Sequence, residues 1–149
     1  MYSNAFESQR DIQVYLPARF RRSRNYPLLV VHDGADYLQY ADFETVLDNL
    51  IHRLEIPAMV VAMTQSPDRL VEYTGNQRHA QFVGGELLQE LKTRFPLIDS
   101  NRARGLMGAS LGGVASLHTA QQYPNRFGQL LLQSGSFAFS DLNSTFRDV

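Results

Sequence analysis

The chain has 149 residues, 44% hydrophobic and 19% charged, a composition that fits one globular domain and excludes disordered and fibrous classes. Fourteen Lys and Arg against fifteen Asp and Glu give a formal net charge of -1, so no global field gathers nucleic acid or an anionic membrane. Cysteine is absent, which removes disulfides, thiolate metal sites and a cysteine nucleophile and leaves the cytoplasm as the expected compartment.

The N-terminal stretch Met1 to Asp11 lacks the apolar core of a signal peptide. The longest apolar runs, Leu28 to Val31 and Met59 to Met63, are too short to span a bilayer, so a soluble protein is expected. Residues Asp11 to Leu16 alternate, with Ile12, Val14 and Leu16 on one side, and predict a half-buried strand ended by Pro17. A basic loop with Arg19, Arg21, Arg22 and Arg24 follows; it reads as a charged connection, or as an attractor for an anionic substrate. Leu28-Leu29-Val30-Val31 is the continuous apolar run of a strand buried on both faces, and it stops at Asp33-Gly34.

From Phe43, the spacing of Val46, Leu47, Leu50, Ile51 and Leu54 predicts an amphipathic helix with Asp42 as its N-cap. Ala58 to Ala62 is a second buried strand, and Thr64 to Gln81 reads as a long polar loop with turns at Ser66-Pro67 and Gly75-Asn76. Val83, Leu87, Leu88, Leu91 and Phe95 mark a helix ended by Pro96, and Arg104 to Met107 a short strand. A third helix covers about Gly112 to Tyr123, with Val114, Ala115, Leu117 and Ala120 inward, and leads past Pro124 to a strand at Gln129 to Gln133. This alternation predicts an α/β fold, a doubly wound and mostly parallel sheet with helices on both faces. Ligands bind such sheets at the carboxyl ends of the strands, where both Asp33-Gly34 and Ser110 fall.

Gly108-Ala109-Ser110-Leu111-Gly112 has the form of a nucleophile elbow, G-x-S-x-G. The pentapeptide arises by chance in roughly one chain in twenty of this length, so its setting between a buried strand and an amphipathic helix is what gives it weight. A serine hydroxyl is a weak nucleophile that needs exposure, a base and donors for the oxyanion. The turn exposes Ser110, and its flanking glycines let strand and helix approach. The backbone N–H of Leu111 and that of Gly34 or Ala35 are the expected oxyanion donors.

With Tyr15-Leu16-Pro17, His32-Asp33-Gly34, Arg69 with Glu72-Tyr73, Glu86-Leu87-Leu88, the elbow with Gly113, Pro124 with Phe127-Gly128, and Ser134-Gly135-Ser136-Phe137, the chain resembles the enterochelin esterase family over about Asp11 to Phe139. These are α/β-hydrolases that cleave ferric-siderophore trilactones, and the resemblance extends more broadly to esterases related to feruloyl esterases and mycolyltransferases. It implies a serine carboxylic-ester hydrolase in which Ser110 attacks an ester carbonyl and forms an acyl-enzyme. It leaves the ester open, because one fold serves many substrates.

In this fold the triad runs Ser, then Asp or Glu, then His. After Ser110 the one histidine is His118, eight residues along the same helix and so about 12 Å up its axis, out of reach of the hydroxyl. His32 is open to three readings: structure of the oxyanion loop, substrate contact, or substitute base. His52 is expected on the surface, and His79 either exposed or against substrate. Asp141 and Asp148 have no histidine after them. The expected explanation is C-terminal truncation of the catalytic domain, with little turnover by this chain alone and the Gln129 to Gln133 strand left as an edge open to self-association. The rival reading is a hydrolase-like protein without catalysis, in a binding role or no independent one.

His32 and Asp33 join Arg69, Glu72, Tyr73 and His79 as candidate substrate-side residues; Arg69, Glu72 and Tyr73 read more readily as an internal ion pair that shapes the loop. No histidine pair stands at i, i+4 and no histidine-carboxylate cluster stands out, so neither a metal nor another cofactor is expected. The expected partner is a small-molecule ester.

Overall fold

The computed structural model describes residues 1–137. It opens on an antiparallel hairpin, β1 (Tyr2–Ser3) against β2 (Ser8–Gln9), which Glu86 fastens by accepting hydrogen bonds from the Ser3 hydroxyl (2.6 Å) and the Ala5 N–H (2.9 Å). After it come β3 (Ile12–Tyr15), β4 (Leu28–His32), α1 (Gly34–Tyr40), α2 (Phe43–His52) and β5 (Val60–Thr64). Two short helices, α3 (Arg69–Glu72) and α4 (Gln77–Gln81), precede a π-helical segment (Phe82–Leu87) and α5 (Leu88–Arg94). The chain closes through β6 (Arg104–Ala109), α6 (Leu111–Gln122) and β7 (Gln129–Gln133).

Five strands form one sheet in the order β3-β5-β4-β6-β7, parallel throughout except for β3, which runs antiparallel to β5 at the edge. Strand residues alternate between faces, so the apolar runs feed two cores. Val30, Val60, Ala62 and Leu106 meet Val83, Leu87 and Leu91 on one face. Val31, Val61, Met63 and Met107 meet Phe43 and Leu47 of α2 on the other. Burying each of Val30, Val31, Val60 and Val61 completely contributes roughly 1.5–3 kcal/mol. From β4 the chain turns to the α2 face, and from β6 to the opposite one. The crevice between those departures opens at the carboxyl ends of β4 and β6, the usual ligand position in a sheet of this kind.

Several predicted elements are revised. The second buried strand lies two residues later than expected, at Val60–Thr64, because pairing of Leu28 with Val60 and His32 with Thr64 sets its register. The segment read as a loop contains α3 and α4, whose free first-turn amides are capped by Asp68, accepting from the Val71 N–H, and by Asn76, accepting from the Arg78 and His79 N–H groups. From α4 the helix runs on through the π segment into α5. In that segment Gly84 lies against Tyr123, where a Cβ would come within 2.5 Å of the ring.

Helix α1 had no apolar stripe to announce it. In α2 only Phe43 and Leu47 are buried; Val46 is exposed, and Leu54 lies past the helix end at φ 60. Asp42 takes the N-cap position in a left-handed conformation, φ 47 and ψ 47, and its carboxylate accepts from the Thr45 hydroxyl (3.1 Å) in place of a backbone N–H. His52 is exposed, as expected. Among the described residues β7 pairs with β6 alone, and its Leu130 and Leu131 are exposed. Asp141 and Asp148 lie outside the described residues. Among those residues no helix is long and apolar enough to cross a membrane.

Candidate active site

Strand β6 ends at Ala109 and α6 begins at Leu111, leaving Ser110 alone to make the turn. It does so at φ 54, ψ -119, a conformation that L side chains rarely adopt. Its backbone is held on both sides: the N–H donates to the Gln133 carbonyl (2.9 Å), and the carbonyl accepts from Gly113 (3.1 Å), Val114 (3.3 Å) and Ser136 (3.2 Å). The side chain faces solvent, and its Oγ lies 2.8 Å from the Oγ of Ser136.

Gly108 permits this geometry, because a Cβ there would stand 2.2 Å from the Gly112 carbonyl oxygen. At Gly112 a Cβ would meet Asp33 Oδ2 at 3.2 Å and His32 Cβ at 3.3 Å, so the end of β4 packs directly on the first turn of α6. Leu111 and Gly34 are the first residues of α6 and α1, and first-turn amides have no intrahelical acceptor. Ala35 differs, since its N–H donates to Gln65 Oε1 (3.3 Å). Of the two predicted donors on that loop, Ala35 thus has a side-chain acceptor.

An open groove of about 320 Å³ runs past Ser110, walled by Asp33, Tyr37, Tyr40, Arg69 and Gln133. The Tyr37 hydroxyl donates to Gln133 Oε1 across its floor. Arg69 holds Asp33 through Nε (2.9 Å) and Nη2 (2.8 Å), a bidentate pair that fixes the turn after β4. Asp33 is nearly buried and left-handed at φ 58. Burial pushes its carboxyl above the usual carboxylate range, against the pull of Arg69.

The remaining predicted residues lie elsewhere. Glu72 is buried and forms an ion pair with Arg10 (2.8 Å), not with Arg69, and accepts from the Ser66 hydroxyl (2.7 Å). Tyr73 is fully buried, edge-on to His32 and His79 with ring centroids 5.2 and 5.0 Å apart. His79 is buried rather than exposed, its Nε2 2.9 Å from His32 Nε2. His32 Nδ1 lies 2.8 Å from the Ser116 hydroxyl and 3.4 Å from the Met107 carbonyl. Desolvation pushes His32 down to about 4, against the Met107 carbonyl, which favours the charged ring. His79 falls well below its ordinary range through burial first, then through the charges of His32, Arg10 and His118. Both rings are neutral at pH 7.

The basic loop of Arg19, Arg21, Arg22 and Arg24 precedes β4, so it lies at the amino end of the sheet, one strand length from the groove. Arg22 caps a helix end through the Arg94 carbonyl (3.0 Å), and Arg24 lies over the Tyr26 ring. These are contacts of a connecting loop, and the loop faces away from any substrate at Ser110. Among the described residues no group of three or more His, Asp or Glu side chains is placed to hold a metal ion. Ser136, Gln133 and Tyr37 stand at the groove without having been singled out. Only Ser136 carried a signal, through the Ser-Gly-Ser-Phe segment.

The family model for Esterase, described as "Putative esterase", matches residues 3–143. The chain belongs to this esterase family. It is 33% identical over 114 residues to the Iron(III) enterobactin esterase of Escherichia coli K12, covering 74% of this chain and 28% of that protein. Over 142 residues it is 27% identical to Uncharacterized protein YjcH of Bacillus subtilis, covering 89% of this chain and 58% of that protein. The crystal structure of enterochelin esterase from Shigella flexneri matches with a TM-score of 0.84 at 28% identity, over 93% of this chain and 35% of that one. A ferulic acid esterase shares the fold, with a TM-score of 0.82 at 20% identity. The esterase chain thus spans 28% and 58% of the lengths of the two relatives compared by sequence.

Proposed function

We propose that the whole protein is a serine carboxylic-ester hydrolase of the enterochelin-esterase type, with Ser110 as its nucleophile. The observation that carries this reading is the φ 54, ψ -119 turn at Ser110, a strained conformation held between β6 and α6 on a residue whose hydroxyl faces the groove. Strain of this kind costs on the order of 1–3 kcal/mol and is retained where function uses it.

Ser110 Oγ attacks the ester carbonyl carbon, and the hydroxyl proton passes to a base. Charge then gathers on the former carbonyl oxygen, where the N–H groups of Leu111 and Gly34 stabilise it. Collapse of the tetrahedral intermediate expels the alcohol, which takes up that proton, and leaves Ser110 acylated. Water, giving up a proton to the base, then attacks the acyl carbon; the Ser110 Oγ–acyl bond breaks, the carboxylic acid leaves, and Oγ takes the proton back from the base. Family membership supports a carboxylic ester as substrate, and the relatives that act on iron(III) enterobactin make a siderophore ester the first candidate. A cytoplasmic setting suits a chain without cysteine.

Among the described residues no histidine hydrogen-bonds Ser110, whose side-chain partner there is Ser136. The base is therefore proposed to come from outside these residues, and turnover by the 149-residue chain alone to be slight. The same observation favours a second reading, a hydrolase-like binding protein without turnover. Hydrolysis of a short-chain nitrophenyl ester by the complete protein, lost in Ser110→Ala, is the expected result. Equal rates for the two proteins would remove Ser110 from the chemistry, and no hydrolysis by either would leave the binding reading.

A further inference from the structure

The hydrogen bonds from His79 to the elbow form a line whose direction can be assigned. The Ser116 hydroxyl lies 2.8 Å from the Gly112 carbonyl, which can only accept, so its proton points there. Ser116 Oγ must then accept from His32 Nδ1 at 2.8 Å, which makes His32 the Nδ1–H tautomer. Its bare Nε2 accepts from His79 Nε2–H at 2.9 Å. His79 Nδ1 is left without a proton and, among the described residues, without a hydrogen-bond partner. His32, His79 and Ser116 are all buried.

This line joins the two loops that carry the expected oxyanion donors. His32 ends β4, two residues before Gly34, while Gly112 and Ser116 belong to the first turns of α6, which opens at Leu111. We propose that His79 and His32 are positioning residues that set the spacing between the Gly34 loop and the elbow through Ser116, without touching substrate. The proposal rests on the reading of Ser110 as nucleophile. The line is intact only in one pair of neutral tautomers. A proton on His32 Nε2 would face the His79 N–H and break it, in surroundings that hold Arg10, His118, Tyr73, Phe6 and Phe82. An error of about 1 Å in such spacing costs roughly a hundredfold in rate.

The test is the rate at which a fluorophosphonate forms an adduct on Ser110 of the complete protein, followed by peptide mass spectrometry. It is paired with two-bond imidazole ¹H–¹⁵N spectra that report the tautomers. His79→Phe keeps an aromatic ring and removes the donor, and is expected to slow labelling roughly tenfold to a hundredfold. In His79→Gln the side-chain amide can donate from the place of Nε2, and the rate should return most of the way. Ser116→Ala cuts the line without touching either ring and should slow labelling to a similar degree, which covers the case that the His79 variants do not fold.

The spectra should show His32 as the Nδ1–H form and His79 as the Nε2–H form. Wild-type labelling rates in folded His79→Phe or Ser116→Ala, or the opposite tautomers, would overturn the positioning role while leaving Ser110 as nucleophile. Failure of the complete wild-type protein to label at Ser110 would count against the nucleophile itself, and the positioning role would fall with it.

Discussion

Arg69 grips Asp33 through two parallel hydrogen bonds of 2.9 and 2.8 Å, one residue before Gly34. Asp33 is nearly buried while Arg69 is about a third exposed, so removing the guanidinium strands a carboxylate with few alternatives. Arg69→Ala is expected to cost about 1–3 kcal/mol, below the figure for a fully buried pair because solvent screens the arginine. Arg69→Lys loses the fork and should recover only part of it. Urea denaturation of the single variants and of Asp33→Asn/Arg69→Ala checks this; the double variant should lose less than the sum of the two singles.

Two glycines should respond in opposite directions to alanine. At Gly108 a Cβ would stand 2.2 Å from the Gly112 carbonyl oxygen, a backbone atom that cannot step aside. Gly108→Ala is expected to destabilise by about 1–3 kcal/mol or more. At Gly85, inside the long helix, a Cβ would meet nothing within 4 Å. Gly85→Ala should stabilise by about 0.5–1 kcal/mol, since glycine is the poorer helix former. Thermal melts of both variants decide the pair.

Acid should unfold the chain through its buried histidines, His32, His79 and His118, all of which burial holds below their ordinary value. Burial lowers the folded-state value of His32 from 6.5 to about 4 and that of His79 well below 6.5. Between these limits the unfolded chain binds more protons than the folded one, so stability rises with pH. It is complete above about pH 6.5, declines as pH falls toward 4, and levels off for His32 once both states are protonated. The His32 contribution is on the order of 3 kcal/mol. Urea midpoints measured from pH 7.5 to 4 should fall for the native chain and fall less for a folded His79→Gln variant.

Ser110→Gly should fold more tightly than the native chain. Glycine enters the positive-φ region freely, whereas serine at φ 54 is strained. A gain of roughly 1 kcal/mol is expected, reduced by loss of the exposed contact with Ser136. Ser110→Ala keeps the strain and should show no such gain. A comparison of the two melts separates strain from side-chain contacts.

The strands and the elbow were legible because their signals are local. Leu28 to Val31 is apolar in every position, and Gly108 is required by its contact with Gly112 within the same five residues. Helix α1 was hidden because tyrosines and polar residues share its surface and only Gly34 is buried. The stretch from Thr64 to Gln81 reads as a loop in sequence because helices of four and five residues are too short to show a period. Asn76 was taken with Gly75 as a turn, although asparagine before a helix is also a cap. The pairing of Glu72 with Arg10, across 62 residues, and of His79 with His32, across 47, is set by tertiary packing and leaves no mark in local sequence.

The assignment of Ser110 as nucleophile is tested most directly by intact-mass and peptide mass spectrometry after exposure of the complete protein to a fluorophosphonate. In the complete protein the proposed chemistry predicts a single phosphonyl adduct on the peptide containing Ser110, absent from Ser110→Ala. An adduct that persists in Ser110→Ala, or a complete native protein that stays unmodified, would contradict it.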